Sequence, residues 1–145
     1  VAWLLRHTQN NSYILIEQYR YPVKQKVLEL VAWLIDKKWL SEQEIMQEEV
    51  VEETWYKNIK SIDYLWKTSW SAWKSSETTT LFDIEIIWEK DKQNLWEMED
   101  IKVIEIPYND FNKFINSQIK SWIIIDPKVC MAVYMTMWKI KKLIS

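Results

Sequence analysis

The sequence predicts a mixed α/β (α+β) fold in a single domain, and three observations predict it. Short runs rich in β-branched and aromatic residues recur at 1–6, 12–18, 58–65, 81–87 and 102–107, the signature of strands. Helical periodicity appears in the middle of the chain, after Ser41, and again at 108–118 and 126–143. The 145 residues make one domain with room for a proper core, and no internal repeat suggests a second; the domain is read as 1–145.

In order, strands 1–6 and 12–18 flank a turn at 7–11 that is rich in Asn and Gln. His7, the only histidine, stands at the edge of that turn, where a surface position is expected. No Ser-His-Asp or Cys-His set can be assembled around it. Arg20 follows, one of two arginines. Its guanidinium can grip phosphate or carboxylate through two parallel bonds, or make an ordinary surface ion pair.

Residues 29–56 read as a strand, a loop and one helix. Ser41 is the helix N-cap and Glu44 completes a capping box. Met46 and Val50, four apart, are expected to face the sheet, with Glu49 and Glu53 on the adjacent stripe. Between Trp39 and Tyr56 there is no Lys or Arg, yet Glu42, Glu44, Glu48, Glu49, Glu52 and Glu53 stand there. Like charges three or four apart on a helix repel by a few tenths of a kcal/mol per pair. Such a run is either a solvated acidic face or the holder of a divalent cation, Mg²⁺ being the economical candidate.

Downstream, 66–80 is a long Ser/Thr loop, of a kind that is often functional. A phosphate-binding G-x4-G-K-[ST] loop fails there on spacing, because Thr68 and Ser61 stand where its first glycine would fall. Residues 88–100 form a charged loop carrying Glu97, Glu99 and Asp100, which composition alone reads as solvated. Met131, Met135 and Met137 beside Cys130 are expected to pack in the core or a dimer interface, not to bind a ligand.

Composition removes several classes. A net charge of -2 leaves no footprint for nucleic acid. No apolar run reaches membrane-spanning length and no signal peptide is visible, so no membrane partner is expected. The single Cys130 permits no internal disulfide and fits a reducing cytoplasm. Val1 begins inside an apparent strand without Met, so N-terminal residues are expected to be missing.

The chain has no Gly and eleven Trp, whereas average usage of about 7% would give roughly ten Gly. The Trp positions read as glycine positions. Trp39 stands before a helix start, Trp55 after a helix end where a left-handed cap favours Gly, and Trp70 and Trp73 in the Ser-rich loop. The expectation is that these residues are glycines in the working protein, through a stop codon reassigned to Gly and read as Trp, or through deliberate replacement.

Glu48-Glu49-Val50-Val51-Glu52-Glu53-Thr54-Trp55-Tyr56 resembles the second half of the Nudix box, G-x5-E-x7-R-E-U-x-E-E-x-G-U, where U is a bulky aliphatic. Glu49, Val50, Glu52, Glu53 and Tyr56 match; Glu48 stands at the Arg, Leu40 at the first Glu, and Trp33 and Trp55 at the two glycines. Residues 17–22 resemble the Q-x-R-x-P segment of the ADP-ribose (ADP-sugar) pyrophosphatase branch, and residues 28–36 its E-[LMF]-[PV]-A-G-x-[IL]-[DE]. Residues 66–80 resemble that branch's S-P-G-x-[ST]-x-E loop, with Glu77 as the acid, and Glu97-Met-Glu-Asp-Ile101 its E-x-E-x-[IL] segment. One residue more than in the family separates Ala32 from Trp39. The likeness runs from Val1 to the last helix.

The resemblance implies a Nudix-type α/β/α sandwich with a mixed central sheet, usually dimeric. It implies Mg²⁺, with Mn²⁺ as its substitute, held by Glu49, Glu53, the Ala32 carbonyl and Glu52. Glu97 is implied as the general base and Glu99 as its close second, with Arg20 and Glu77 on the substrate, a small nucleotide-sugar. The expected reaction is hydrolysis of ADP-ribose or a related ADP-sugar to AMP and a sugar phosphate, in a cytoplasmic homodimer. The changes at Glu48 and Leu40 keep a second expectation open, a Nudix-fold module that binds a nucleotide-sugar without cleaving it. A third is a pyrophosphatase for another nucleoside diphosphate derivative.

Overall fold

The computed structural model describes residues 1–32, 44, 50, 54, 56–69, 71–90 and 100–144. These form the strands β1 (Ala2–His7), β2 (Ser12–Arg20), β3 (Gln25–Glu29), β4 (Val31–Ala32), β5 (Tyr56–Thr68), β6 (Thr79–Lys90), β7 (Ile101–Pro107) and β8 (Ile124–Ile125), and the helices α1 (Phe111–Lys120) and α2 (Pro127–Ile144). The strands make one mixed sheet in the order β5-β6-β1-β2-β3-β8, with β4 on β1 and β7 on β2. Most neighbours are antiparallel; β1 runs parallel to β6 and β3 parallel to β8. The predicted α+β class is the observed one.

One segment changes partner in mid-course. β3 pairs with β2 up to Glu29, opposite Ile16, and β4 pairs with β1 from Val31, opposite Trp3. Leu30, fully buried, is the hand-over residue. The chain therefore bridges the place where β1 and β2 part, and Glu29 and Val31 point to the same face.

Strand alternation builds a core on each face. On one, Leu4, Leu15 and Leu28 pack with Phe111 and Ile115 of α1 and Val129, Ala132 and Val133 of α2. On the other, Trp3, Leu5, Ile14, Ile16, Val31, Ile84 and Ile101 pack with Val50, which is helical. Burying a side chain of this size is worth about 1.5–3 kcal/mol, so Val50 ties its turn to the sheet as the sequence predicts; Met46 lies outside the described residues. Thr54, also helical and buried, donates its hydroxyl to the Val50 carbonyl at 2.5 Å.

The helix-covered face also holds a charged pair. Arg6 Nε donates to Asp83 Oδ1 at 2.5 Å, with both side chains largely buried. Burial pushes the Asp83 carboxyl above its usual range, and the Arg6 hydrogen bond and charge only partly offset it. Burial alone would lower Arg6; its bond to Asp83 and that charge leave it raised.

Several boundaries move outward from those the sequence predicts. β5 runs to Thr68 and β6 begins at Thr79 and ends at Lys90. The Thr-rich ends of the expected loop join the ladder through Lys67↔Thr80 and Thr68↔Thr79, as β-branched residues favour. Trp88 thus belongs to a strand, not to the charged loop. A 3₁₀ turn, Tyr108–Asp110, precedes α1 where a continuous helix from 108 was expected. His7 is a correction too. It is the fully buried last residue of β1, its Nδ1 accepting the Asn10 N–H at 3.2 Å and its ring edge-on to Tyr56 at 5.9 Å. The turn closes over the ring instead of exposing it.

Candidate functional site

Two separated stretches meet at the end of β2. Arg20 gives Nε to Glu29 Oε1 and Nη2 to Glu29 Oε2, both at 2.7 Å. This is the paired fork that guanidinium and carboxylate favour, and it is stronger than two neutral hydrogen bonds. Arg20 is opposite Gln25 and Glu29 opposite Ile16, so the long side chain reaches back along the ladder to its partner. Glu29 lies in the row of Val27 and Val31, almost wholly buried, while Arg20 remains 44% exposed. The acid is fixed by packing and the guanidinium is fixed by the acid.

Strand register gathers further segments at this end of the sheet. β7 begins at Ile101 opposite Gln18, so the segment before it arrives two residues from Arg20. Lys26 Nζ is 3.3 Å from Glu17 and 3.9 Å from Asp100, which places the last residue of the acidic segment beside the β2–β3 hairpin. Ala2 pairs with Ala32 on one side and Leu81 on the other. Leu81 therefore lies in the rung of Ala32, and the segment that carries Glu77 leads into β6 at this end of the sheet. His7 and Pro107 mark the opposite end of the sheet.

Of the residues expected to act, Arg20 and Ala32 stand at this end and Glu77 on the segment leading into it. Glu77 is exposed, and its backbone N–H donates to Ser75 Oγ at 3.1 Å. Glu49, Glu52, Glu53, Glu97 and Glu99 lie outside the described residues. Among the described residues no group of three or more His, Cys, Asp or Glu could hold a metal ion. The role of Glu29 is what sequence reasoning missed. Its signal was present, an acid between Leu28 and Leu30 in the otherwise apolar run 27–32, which burial makes costly without a partner.

The arrangement supplies a guanidinium held by a carboxylate at the end of the sheet where β6 and β7 begin. A shallow apolar groove of about 680 Å³ lies elsewhere, between α1 and the start of α2, lined by Ile115, Ile119, Trp122 and Cys130 among others. It contains neither Glu29 nor Arg20. Among the described residues no helix is long and apolar enough to cross a membrane. No protein-family model matches this chain, and comparison with curated proteins finds no match.

Proposed function

We propose that this chain is a Nudix-type hydrolase that cleaves the pyrophosphate bond of ADP-ribose or a related ADP-sugar, giving AMP and a sugar phosphate. The observation that carries the reading is the Arg20–Glu29 fork. It joins the two stretches that resemble the pyrophosphatase branch upstream of the box, at the sheet end where the Glu77 segment and the acidic segment before β7 also arrive.

In this reading Glu49, Glu53 and Glu52, with the Ala32 carbonyl, are the metal donors. All are hard oxygens, the donor type that suits Mg²⁺ and Mn²⁺. The ion, when bound, neutralises phosphate charge and eases ionisation of the attacking water. Glu97 takes the water proton, with Glu99 its nearest substitute. Glu29 orients the Arg20 guanidinium, whose charge meets a phosphate or the terminal ribose, and Glu77 faces the same substrate. The reading includes a homodimer in the cytoplasm.

Glu48 in place of the box Arg, and Leu40 in place of its first Glu, favour a second reading, a nucleotide-sugar binding module without catalysis. The test is incubation of the glycine-restored protein with ADP-ribose and Mg²⁺, with AMP measured against time. AMP that requires Mg²⁺ supports the hydrolase. Tight ADP-ribose binding without AMP selects the module, and neither binding nor AMP overturns both.

A further inference from the structure

The C-terminus of α1 closes with the hydrogen bonds of a Schellman motif. The Ile123 N–H donates to the Gln118 carbonyl and the Trp122 N–H to the Ile119 carbonyl, each at 3.1 Å. With Ser121 as the C-cap, these are the bonds from C″ to C3 and from C′ to C2. Residue 122 is therefore C′, and its φ of 58° puts it in the left-handed region. That position takes glycine by strong preference, because a Cβ there crowds the neighbouring carbonyl. Here it carries Trp, the largest side chain available, 88% exposed.

Other tryptophans stand at similar punctuation. Trp66 follows a register shift in β5, where Tyr64 pairs with Phe82 and Trp66 with Leu81, so two steps on one strand oppose one on the other. Glycine inside a strand pattern marks such bulges. Trp73 sits in a turn closed by the Lys74 N–H on the Ser71 carbonyl at 2.8 Å, and it too is 88% exposed. Trp3 is fully buried, and its indole Nε1 has no hydrogen-bond partner among the described residues, which buried N–H groups rarely tolerate. The side chains of Trp66, Trp73 and Trp122 are largely exposed, whereas Trp3 packs in the core.

We propose that residues 122, 66 and 73 are glycine in the protein as its source makes it, and that one reassigned codon accounts for all eleven tryptophans. The count agrees, since eleven Trp stand where about ten Gly are missing. A consequence is that the groove beside Trp122 is walled by a side chain the working protein does not carry, so it is no ligand site. The inference is independent of the proposed activity.

Sequencing of peptides from the protein isolated from its source is the direct test. The expected result is glycine at 66, 73 and 122, an intact mass lower by eleven indolylmethyl groups, and one shared stop-type codon at all eleven positions in the gene. Tryptophan at any of these three positions in native peptides overturns the proposal. The recombinant chain gives a separate reading: Trp122→Gly should unfold with an equilibrium constant roughly tenfold smaller than either the parent or Trp122→Ala. A glycine variant no more stable than the alanine one would remove the structural ground for the proposal.

Discussion

Arg20 and Glu29 lie nine residues apart in sequence, and both guanidinium bonds close on one carboxylate at 2.7 Å. Because Glu29 is nearly buried and Arg20 half in solvent, the two substitutions are unequal. Arg20→Ala leaves an acid in an apolar row without its counter-ion and should cost about 1–3 kcal/mol, towards the lower end given the exposure of Arg20. Arg20→Lys keeps the charge but not the fork, so it should recover most of the stability and little of the substrate affinity. Urea unfolding separates the first effect, and KM for ADP-ribose the second. An Arg20→Lys enzyme with unchanged KM would sink the assigned role.

The buried Arg6–Asp83 pair makes a second prediction, on stability alone. Asp83→Ala strands a guanidinium between sheet and helices and should cost about 3–5 kcal/mol, whereas replacing both partners by apolar residues should cost far less. Unfolding of Asp83→Ala against Arg6→Met/Asp83→Leu measures the difference. Equal losses would show that the pair acts through packing volume and not charge.

The strands were legible because each face declares itself by alternation, as Leu4, Leu15 and Leu28 do against Trp3, Ile14 and Ile16. His7 was misread because its neighbours Thr8 to Asn11 are turn formers, and composition cannot show that a turn folds back over the last strand residue. The edges of β5 and β6 were misread for a related reason. Thr68, Thr79 and Thr80 suit a loop by polarity and a strand by shape, and pairing across the sheet decided for the strand. At the candidate site the sequence offered Arg20 with two alternatives, phosphate grip or ion pair. The fork to Glu29 realises the second and leaves the first to be tested, because a partner across a hairpin is set by register, which periodicity alone does not fix.

Stability at acid and alkaline pH should be governed by different groups. Glu85 is held below its usual range, first by the Lys60 hydrogen bond and then, against burial, by the Thr8 hydroxyl and the positive charges of Lys60 and Arg6. A carboxylate depressed in the folded state stabilises above its unfolded pKa and loses that contribution as pH falls through the folded one. Lys60→Gln should therefore weaken the protein by about 0.2–1 kcal/mol near neutrality and converge with the parent in acid. Tyr13 and Tyr56 behave in the opposite sense. Burial pushes both to about 12, with the Glu105 charge adding to Tyr56. Their stabilisation is complete below about pH 10 and fades as pH rises towards the folded value, since the unfolded phenols ionise first. Tyr56→Phe should flatten part of that alkaline loss. Urea midpoints across the pH range, with tyrosinate absorbance, check both signs.

The glutamates proposed to act divide by what their loss should change. Glu53→Gln removes a metal donor, so its rate should fall and its Mg²⁺ requirement should rise together, with activity partly recovered at high Mg²⁺. Glu97→Gln removes the acceptor of the water proton, so kcat should drop by roughly 10²–10⁴-fold with the Mg²⁺ requirement and KM nearly unchanged. If Glu99 is the base, the two patterns exchange between Glu97→Gln and Glu99→Gln and leave the Glu53 result alone. Magnesium titrations of kcat on the glycine-restored variants distinguish these cases. A Glu53→Gln enzyme with the parent's rate and Mg²⁺ dependence would mean that the acid-rich helix is a solvated face, and the metal assignment would fall with it.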